Sequence, residues 1–333
     1  MQQKNRDTNK PRAPAKGAKT RNTTSATELP MKVAVGLVSL MVALILTELG
    51  LRLLYGRNYA RLDDERLTYR HDPELGWFPI PNSSKSISGS RIITATHNSK
   101  GFREPEPAND HKPSVVFLGD SFVWGYDVEA SERFTEKLQA KHPEWTIHNF
   151  GVSGYGTDQE YLLLRKYFDE YQPRIVVLVV CGDNDNEDNS WNCRGGYYKP
   201  YFTFNDGNLK LNGVPVPKSE RTFFSEHQLF SRPYIVRLIV QGYYRLVSPT
   251  PMKNPEPPTG VLFLEMRSYV TNHGAKFVIG MQQWHPDLEQ FLKKFDIPHV
   301  DLTTDHRFPA FGKHWTPEGH TFVADQLDHV LVR

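Results

Sequence analysis

A chain of 333 residues with 23% charged and 12% aromatic side chains has the composition of a globular protein, with room for one large α/β domain and an extension. The formal net charge of +2 hides an asymmetry: residues 1–32 carry eight Lys/Arg against Asp7 and Glu28, which leaves 32 basic and 36 acidic residues, a net of −4, for the rest. A mildly acidic globular part excludes a nucleic-acid-binding surface, which needs Lys and Arg gathered on the folded domain.

Residues 1–30 are basic and rich in Thr, Asn and Pro without apolar periodicity, the composition of a disordered tail. From Met31 to Tyr55 the character changes. Val33 through Thr47 carry no charge and the apolar run continues through Leu49, Leu51, Leu53 and Leu54, about the length that spans a bilayer. Glu48 and Arg52, four apart near one end, are placed to pair or to snorkel to the interface. A cleaved signal peptide is the alternative, although the run exceeds a usual signal core and no A-x-A-like site follows; a buried core helix is the other. Eight basic residues precede the span and four follow it (Arg57, Arg61, Arg66, Arg70). The positive-inside rule then expects a single-pass membrane protein with its large domain outside the cytoplasm.

Residues 56–112 read as a linker and N-terminal extension of short strands and loops, punctuated by Gly76-Trp-Phe-Pro-Ile-Pro81 and Asn98-Ser-Lys-Gly-Phe-Arg103. The main domain is expected over 113–333. Ser114-Val-Val-Phe-Leu-Gly119 is a short β-branched and aromatic run bounded by Pro113 and Gly119, a buried parallel strand that ends at Asp120 and Ser121. A helix is expected from Ser131, a second strand over Trp145–Phe150, and a helix after Gly151-Val-Ser-Gly-Tyr-Gly-Thr157 with Thr157 and Glu160 as a capping box. The third strand is Pro173–Cys181, ending in Gly182-Asp-Asn-Asp185.

Residues 190–258 interrupt the alternation. Asn205-Asp-Gly207 between two apolar runs predicts a hairpin within Tyr197–Pro217, and Pro233–Val247 predicts an amphipathic helix; together they form either a lid or a surface decoration. A helix near Gly260–His273, a strand Lys276–Met281, a helix near Asp287–Phe295, a strand Ile297–Asp301 and a last helix with Thr316 as N-cap and Pro317 at its first position complete the chain. Five strands alternating with helices predict a three-layer α/β/α, doubly wound, mostly parallel sheet.

Ligands of such sheets bind at the carboxyl ends of the strands, which is where Ser121 stands. A serine nucleophile needs a base, oxyanion donors and a group that orients the base. No G-x-S-x-G surrounds Ser121, so the α/β-hydrolase elbow is absent. Gly154 lies in a Gly-rich turn that offers a backbone N–H, Asn184 offers an amide, and His314 lies in the loop before the closing helix.

Taken together, Gly119-Asp-Ser-Phe122, Asn149-Phe-Gly-Val-Ser-Gly154, Gly182-Asp-Asn-Asp185 and His314-Trp-Thr-Pro-Glu-Gly-His320 resemble, in order, the four blocks of the SGNH (GDSL-like) hydrolases. The resemblance spans about Asp72 to Val332. It implies a flavodoxin-like fold, Ser121 as nucleophile, an oxyanion hole from the Ser121 and Gly154 N–H groups and the Asn184 amide, and His314 as base. It implies no cofactor and no metal. His320 competes as the base, but inside the helix it reads as structural, as do His148 and His285. The carboxylates Asp183, Asp185, Glu187 and Asp188 read as a solvated cluster rather than metal ligands.

One departure stands out. The family's acid lies three residues before the histidine, and here that position is Phe311. The expectation is therefore a Ser121–His314 dyad oriented by the Phe311 backbone carbonyl, with Asp305 and Asp301 as alternatives. The function implied is an esterase that cleaves acyl groups such as acetyl from an acylated small molecule or cell-envelope carbohydrate. An O-acyltransferase acting on envelope polysaccharide and a non-catalytic glycan-binding module are the competing readings. Cys181 and Cys193 fit no zinc pattern, and their pairing is not legible from sequence.

Overall fold

The computed structural model describes residues 28–56, 68–107, 112–182, 184–309 and 311–332. The tail over 1–27 and the arginines at 57, 61 and 66 lie outside them, as does Asp183. The chain divides into two units, the first ending at Leu54 and the second running from Tyr55.

The first unit carries one helix, α1 (Glu28–Tyr55), with no buried residue. Its mean hydropathy reaches 2.3, and it is long and apolar enough to cross a membrane. Glu48 and Arg52 pair at 2.8 Å, which removes two isolated charges from the apolar surface.

The second unit begins with two antiparallel hairpins, β1 (Tyr69–Asp72) with β2 (Gly76–Pro79) and β3 (Ser84–Ser88) with β4 (Ile92–Thr96). The main sheet follows. Strand β5 (Ser114–Gly119) leads into a single helical turn, α2 (Ser121–Trp124), and then to α3 (Phe134–Lys141), β6 (Thr146–Gly151), α4 (Thr157–Tyr171), β7 (Ile175–Val180) and α5 (Asp185–Ser190). The insertion contributes β8 (Cys193–Arg194), β9 (Tyr197–Tyr198), the hairpin β10 (Tyr201–Asn205) with β11 (Asn208–Asn212), α6 (Glu220–Glu226) and α7 (Tyr234–Val247). Then come α8 (Thr259–Asn272), β12 (Lys276–Met281), α9 (Pro286–Lys294), β13 (His299–Asp301) and α10 (Pro317–Val332).

The sheet order is β13-β12-β7-β5-β6, all pairs parallel. In order of appearance that is 2-1-3-4-5, so the strand order reverses between β5 and β7, and the crevice above those two strand ends is the binding position of such folds. Alternation along the strands divides the core. Val115, Phe117, Val177 and Val179 pack with Phe134 and Leu138 of α3 and Val323 and Leu327 of α10. Val116, Leu118, Val176 and Leu178 face Leu163 and Leu164 of α4 and Met266 and Val270 of α8. Both faces are covered, as the unbroken apolar strands required.

Two local expectations are corrected. The helix expected from Ser131 begins as a 3-10 turn over Ala130–Glu132 and becomes α-helical only at Phe134. Thr157 and Glu160 form no capping box: Gly156 occupies the N-cap, so Thr157 already lies in the helix, and Glu160 is turned into the interior. The Asp158 N–H is satisfied instead by Asn189 Oδ1 at 3.1 Å. Cys181 and Cys193 are both free thiols.

Candidate active site

At the β5 end the chain must leave a fully buried strand and present a polar group within two residues. Asp120 makes that turn by capping α2, its Oδ1 accepting the Phe122 N–H at 2.9 Å. Ser121 thereby opens the helical turn, where its own N–H has no intrahelical acceptor. Gly151 of β6 lets α2 sit directly on the neighbouring strand, since a Cβ there would lie 2.2 Å from the Trp124 nitrogen. Asn149 fixes the same contact by donating to the Val123 carbonyl at 2.7 Å and to Thr135 Oγ1 at 3.0 Å.

His314 brings Nε2 to 2.9 Å from Ser121 Oγ, and its Nδ1 lies 3.2 Å from Asp127 Oδ2. The ring is held between Tyr126, stacked at 4.7 Å, and Phe122 at 5.1 Å. Asp127 is fully buried at a φ of 69°, a left-handed conformation that Asp tolerates better than most residues, and its Oδ1 accepts the Ser90 N–H at 2.6 Å.

This contact overturns the expected dyad. The group against Nδ1 is a carboxylate, and it comes from neither the Phe311 carbonyl nor Asp305 nor Asp301. Asp301 is exposed and accepts from Thr303 N at 2.9 Å. Asp305 is exposed, and its carbonyl receives the Arg307 N–H at 2.7 Å. The physical reason is the turn after α2. Gly125, at a φ of 82°, ends the helix after one turn and folds the chain back, so that Asp127 stands under the imidazole on the same strand end as Ser121.

The other two strand ends supply the opposite side of the cleft. Gly154 adopts a φ of 83° and lines the cleft that contains Ser121. Asn184, after β7, donates from Nδ2 to Asp120 Oδ2 at 3.1 Å, which leaves its second amide hydrogen for the cleft. Asp120 therefore orients Asn184 as well as capping the turn that carries Ser121, a role sequence reasoning did not assign. Among the described residues, no group accepts from the Ser121 or Gly154 N–H.

The N-terminal extension supports these parts from behind. Trp77 packs edge-on against Tyr155, whose hydroxyl donates to the Trp77 carbonyl at 2.6 Å, and the indole N–H reaches the Ser153 carbonyl at 3.4 Å. Arg103, 1% exposed, donates to the carbonyls of Gly125 at 2.6 Å, Val128 at 2.8 Å and Trp124 at 3.2 Å, lies over the Trp124 ring, and thus clamps the loop between Ser121 and Asp127. Burial, with the Arg133 guanidinium nearby, pushes Arg103 down to about 9, which leaves it protonated at neutral pH.

His320 is not near Ser121 Oγ in the way His314 is: it is buried, accepts the Phe134 N–H on Nδ1 at 3.3 Å and stacks on Phe134. Burial, together with Arg133 and Arg103, holds it well below the usual histidine range. His148 pairs with Glu104 at 3.5 Å, and His285 is the N-cap of α9.

Glu160 and Asp185 are buried; among the described residues no group donates to either oxygen of Glu160, and of Asp185 only Oδ2 is satisfied, by the Cys181 N–H at 2.8 Å. Burial first, and then the neighbouring carboxylates, push both well above the ordinary carboxylate range. The folded protein therefore holds protons that the unfolded chain releases once the pH passes the ordinary range, so stability falls as pH rises from there toward the raised values. Thermal melts are expected to show a lower Tm at pH 8 than at pH 5.5, and Glu160→Gln is expected to flatten that difference; an unchanged slope would show that Glu160 is ionised.

No family model and no curated protein matches this chain. Among solved structures, it is similar to a lipolytic protein of the G-D-S-L family from Veillonella parvula at 12% identity and a TM-score of 0.40, over 66% of this chain and 98% of that one. A G-D-S-L lipolytic protein from Desulfitobacterium hafniense aligns at 13% identity and a TM-score of 0.37, over 66% of this chain and 99% of that one. The esterase EstA from Pseudoalteromonas aligns at 11% identity and a TM-score of 0.37, over 67% of this chain and 100% of that one.

Proposed function

We propose that this chain is a serine esterase of the SGNH (GDSL-like) type, which hydrolyses acyl esters through an acyl-Ser121 intermediate. The observation that carries the reading is the continuous chain of contacts Ser121 Oγ–His314–Asp127, set beside the Gly154 and Asn184 donors at the switch point of the sheet. Four separated sequence blocks converge on one cleft, and no packing need accounts for that convergence.

In this mechanism His314 Nε2 takes the Ser121 proton as Oγ attacks the ester carbonyl. Asp127 holds Nδ1–H, keeps Nε2 unprotonated toward the serine, and stabilises the imidazolium once it forms. The tetrahedral oxyanion takes hydrogen bonds from the Ser121 and Gly154 N–H groups and Asn184 Nδ2. His314 then protonates the leaving alcohol, and water, deprotonated by the same imidazole, releases the acid. We further propose that α1 anchors the protein as a single membrane pass with the esterase domain outside the cytoplasm. C-terminal reporter fusions test this, and a cytoplasmic readout would overturn it.

The full-length protein in detergent should hydrolyse 4-nitrophenyl acetate and take up a fluorophosphonate on Ser121. Labelling should vanish in Ser121→Ala and fall sharply in His314→Ala; labelling elsewhere, or none in folded protein, defeats the reading. Asn184→Ala is expected to lower kcat by about 10²–10³ with the fold retained, measured on the same ester.

A further inference from the structure

The cleft above Ser121 has a volume of about 570 Å³, and the permanently charged residues that line it are all basic. Arg194, Arg307 and Lys313 line it, and among the described lining residues there is no carboxylate. Arg194, from β8 of the insertion, already pairs with Asp188. Arg307 and Lys313 have no ion-pair partner among the described residues.

Arg307 is held in place by neutral acceptors. Its Nε donates to the Thr304 carbonyl at 3.0 Å, one terminal nitrogen to the Gln282 carbonyl at 3.0 Å, and the other to Gln283 Oε1 at 3.5 Å. These bonds fix the guanidinium without neutralising it and leave two of its five N–H donors unspent. Beside it, Gln282 also lines the cleft. It is 1% exposed, its Oε1 accepts from the Cys181 thiol at 3.5 Å, and its amide nitrogen is buried with no partner. A buried amide donor left unsatisfied costs stability unless something occupies the site. A fixed guanidinium, an idle buried amide and a lysine next to His314 together offer donors and positive charge with no acceptor. Their complement is an oxyanion.

We infer that the ester substrate is anionic and that Arg307, Gln282 and Lys313 receive its carboxylate or phosphate while the ester lies over Ser121. The inference rests on the esterase reading for the position of the ester, but the anion site itself does not. The chemistry has two sources: the carboxylates of a uronate-bearing carbohydrate, or the phosphates of a phosphodiester-linked polymer. Since residues 33–333 carry a net charge of −4, general attraction of polyanions to the domain does not substitute for a local site.

The test uses full-length protein in detergent with Ser121→Ala, and three fluorescent oligomers: an oligogalacturonate, a poly(glycerol phosphate) and a neutral malto-oligosaccharide. One of the two anions should bind at least tenfold more tightly than the neutral oligomer, and which one does so identifies the source. That affinity should fall about tenfold in Arg307→Gln and again in Lys313→Gln, an exposed position where the fold is not at stake. In protein with Ser121 intact, the same oligomer should slow fluorophosphonate labelling. Equal binding of all three oligomers overturns the inference. So does anion binding that survives both substitutions, which would place it on the basic residues of 1–32. Arg307-dependent anion binding in a protein whose Ser121 cannot be labelled would sustain the anion site and reject the esterase. Labelling without anion preference would do the reverse.

Discussion

Asp127→Asn is expected to lower kcat on small acyl esters by about 10³–10⁴ while leaving the protein folded, the size such a change has when the acid of a serine triad becomes an amide. The carboxylate at 3.2 Å accepts the Nδ1 proton, whereas an Asn amide can present an N–H there and favour the tautomer with the proton on Nε2, facing Ser121. Asp305→Asn and Asp301→Asn, both at exposed positions, should stay within about threefold of the parent. Because Asp127 acts through His314, Asp127→Asn combined with His314→Ala should cost little more than His314→Ala alone. A near-normal rate for Asp127→Asn, or additive losses in the double variant, would show that the ring is oriented by some other group.

The second large effect is expected at Arg103, which never reaches the cleft. Arg103→Met removes donors from the carbonyls of Trp124, Gly125, Val128 and Thr94; Trp124 keeps Arg133 and Gly125 keeps the Val128 N–H, so the Val128 carbonyl left without its guanidinium costs about 1–3 kcal/mol and each of the other lost bonds about 1 kcal/mol. A loss of about 3–5 kcal/mol in unfolding free energy should follow, read from the denaturant midpoint at unchanged slope. The clamped loop carries both Ser121 and Asp127, so activity at low temperature, where the variant remains folded, should also fall by more than tenfold through kcat rather than KM. Arg103→Lys restores one point charge without the planar fork and should recover stability only in part. Full activity in a folded Arg103→Met protein would show that the turn holds its shape without the clamp.

Much of this architecture was legible because it follows from local pattern. The β-branched runs at 114–119, 175–180 and 276–281 have one reading, and the Asn205-Asp-Gly207 turn gave the hairpin directly. Ser121, Gly154, Asn184 and His314 were found because each stands where an apolar strand or loop stops at a small or polar residue, and the structure brings all four to one cleft. Asp127 was missed for a different reason. The resemblance places the acid on the segment before His314, whereas a Gly-aromatic-Asp turn that ends six residues after Ser121 returns to the same strand end. Its partnership spans 187 residues of sequence and depends on the Gly125 reversal, which no periodicity reveals. The capping box failed similarly, because Thr157 and Glu160 have the right spacing but Gly156 takes the cap.

Ser121 and Asp127 sit on one short loop, and Gly154 and Asn184 follow after the next two strands, whereas His314 arrives from the far end of the chain. A growing polypeptide therefore has four of these five residues within its first 184 and lacks the fifth. The five meet only when β13 joins the sheet edge and α10 docks against α3. On the proposed esterase reading, activity is therefore gated by completion of the fold, and a partly folded chain carries the serine without its base.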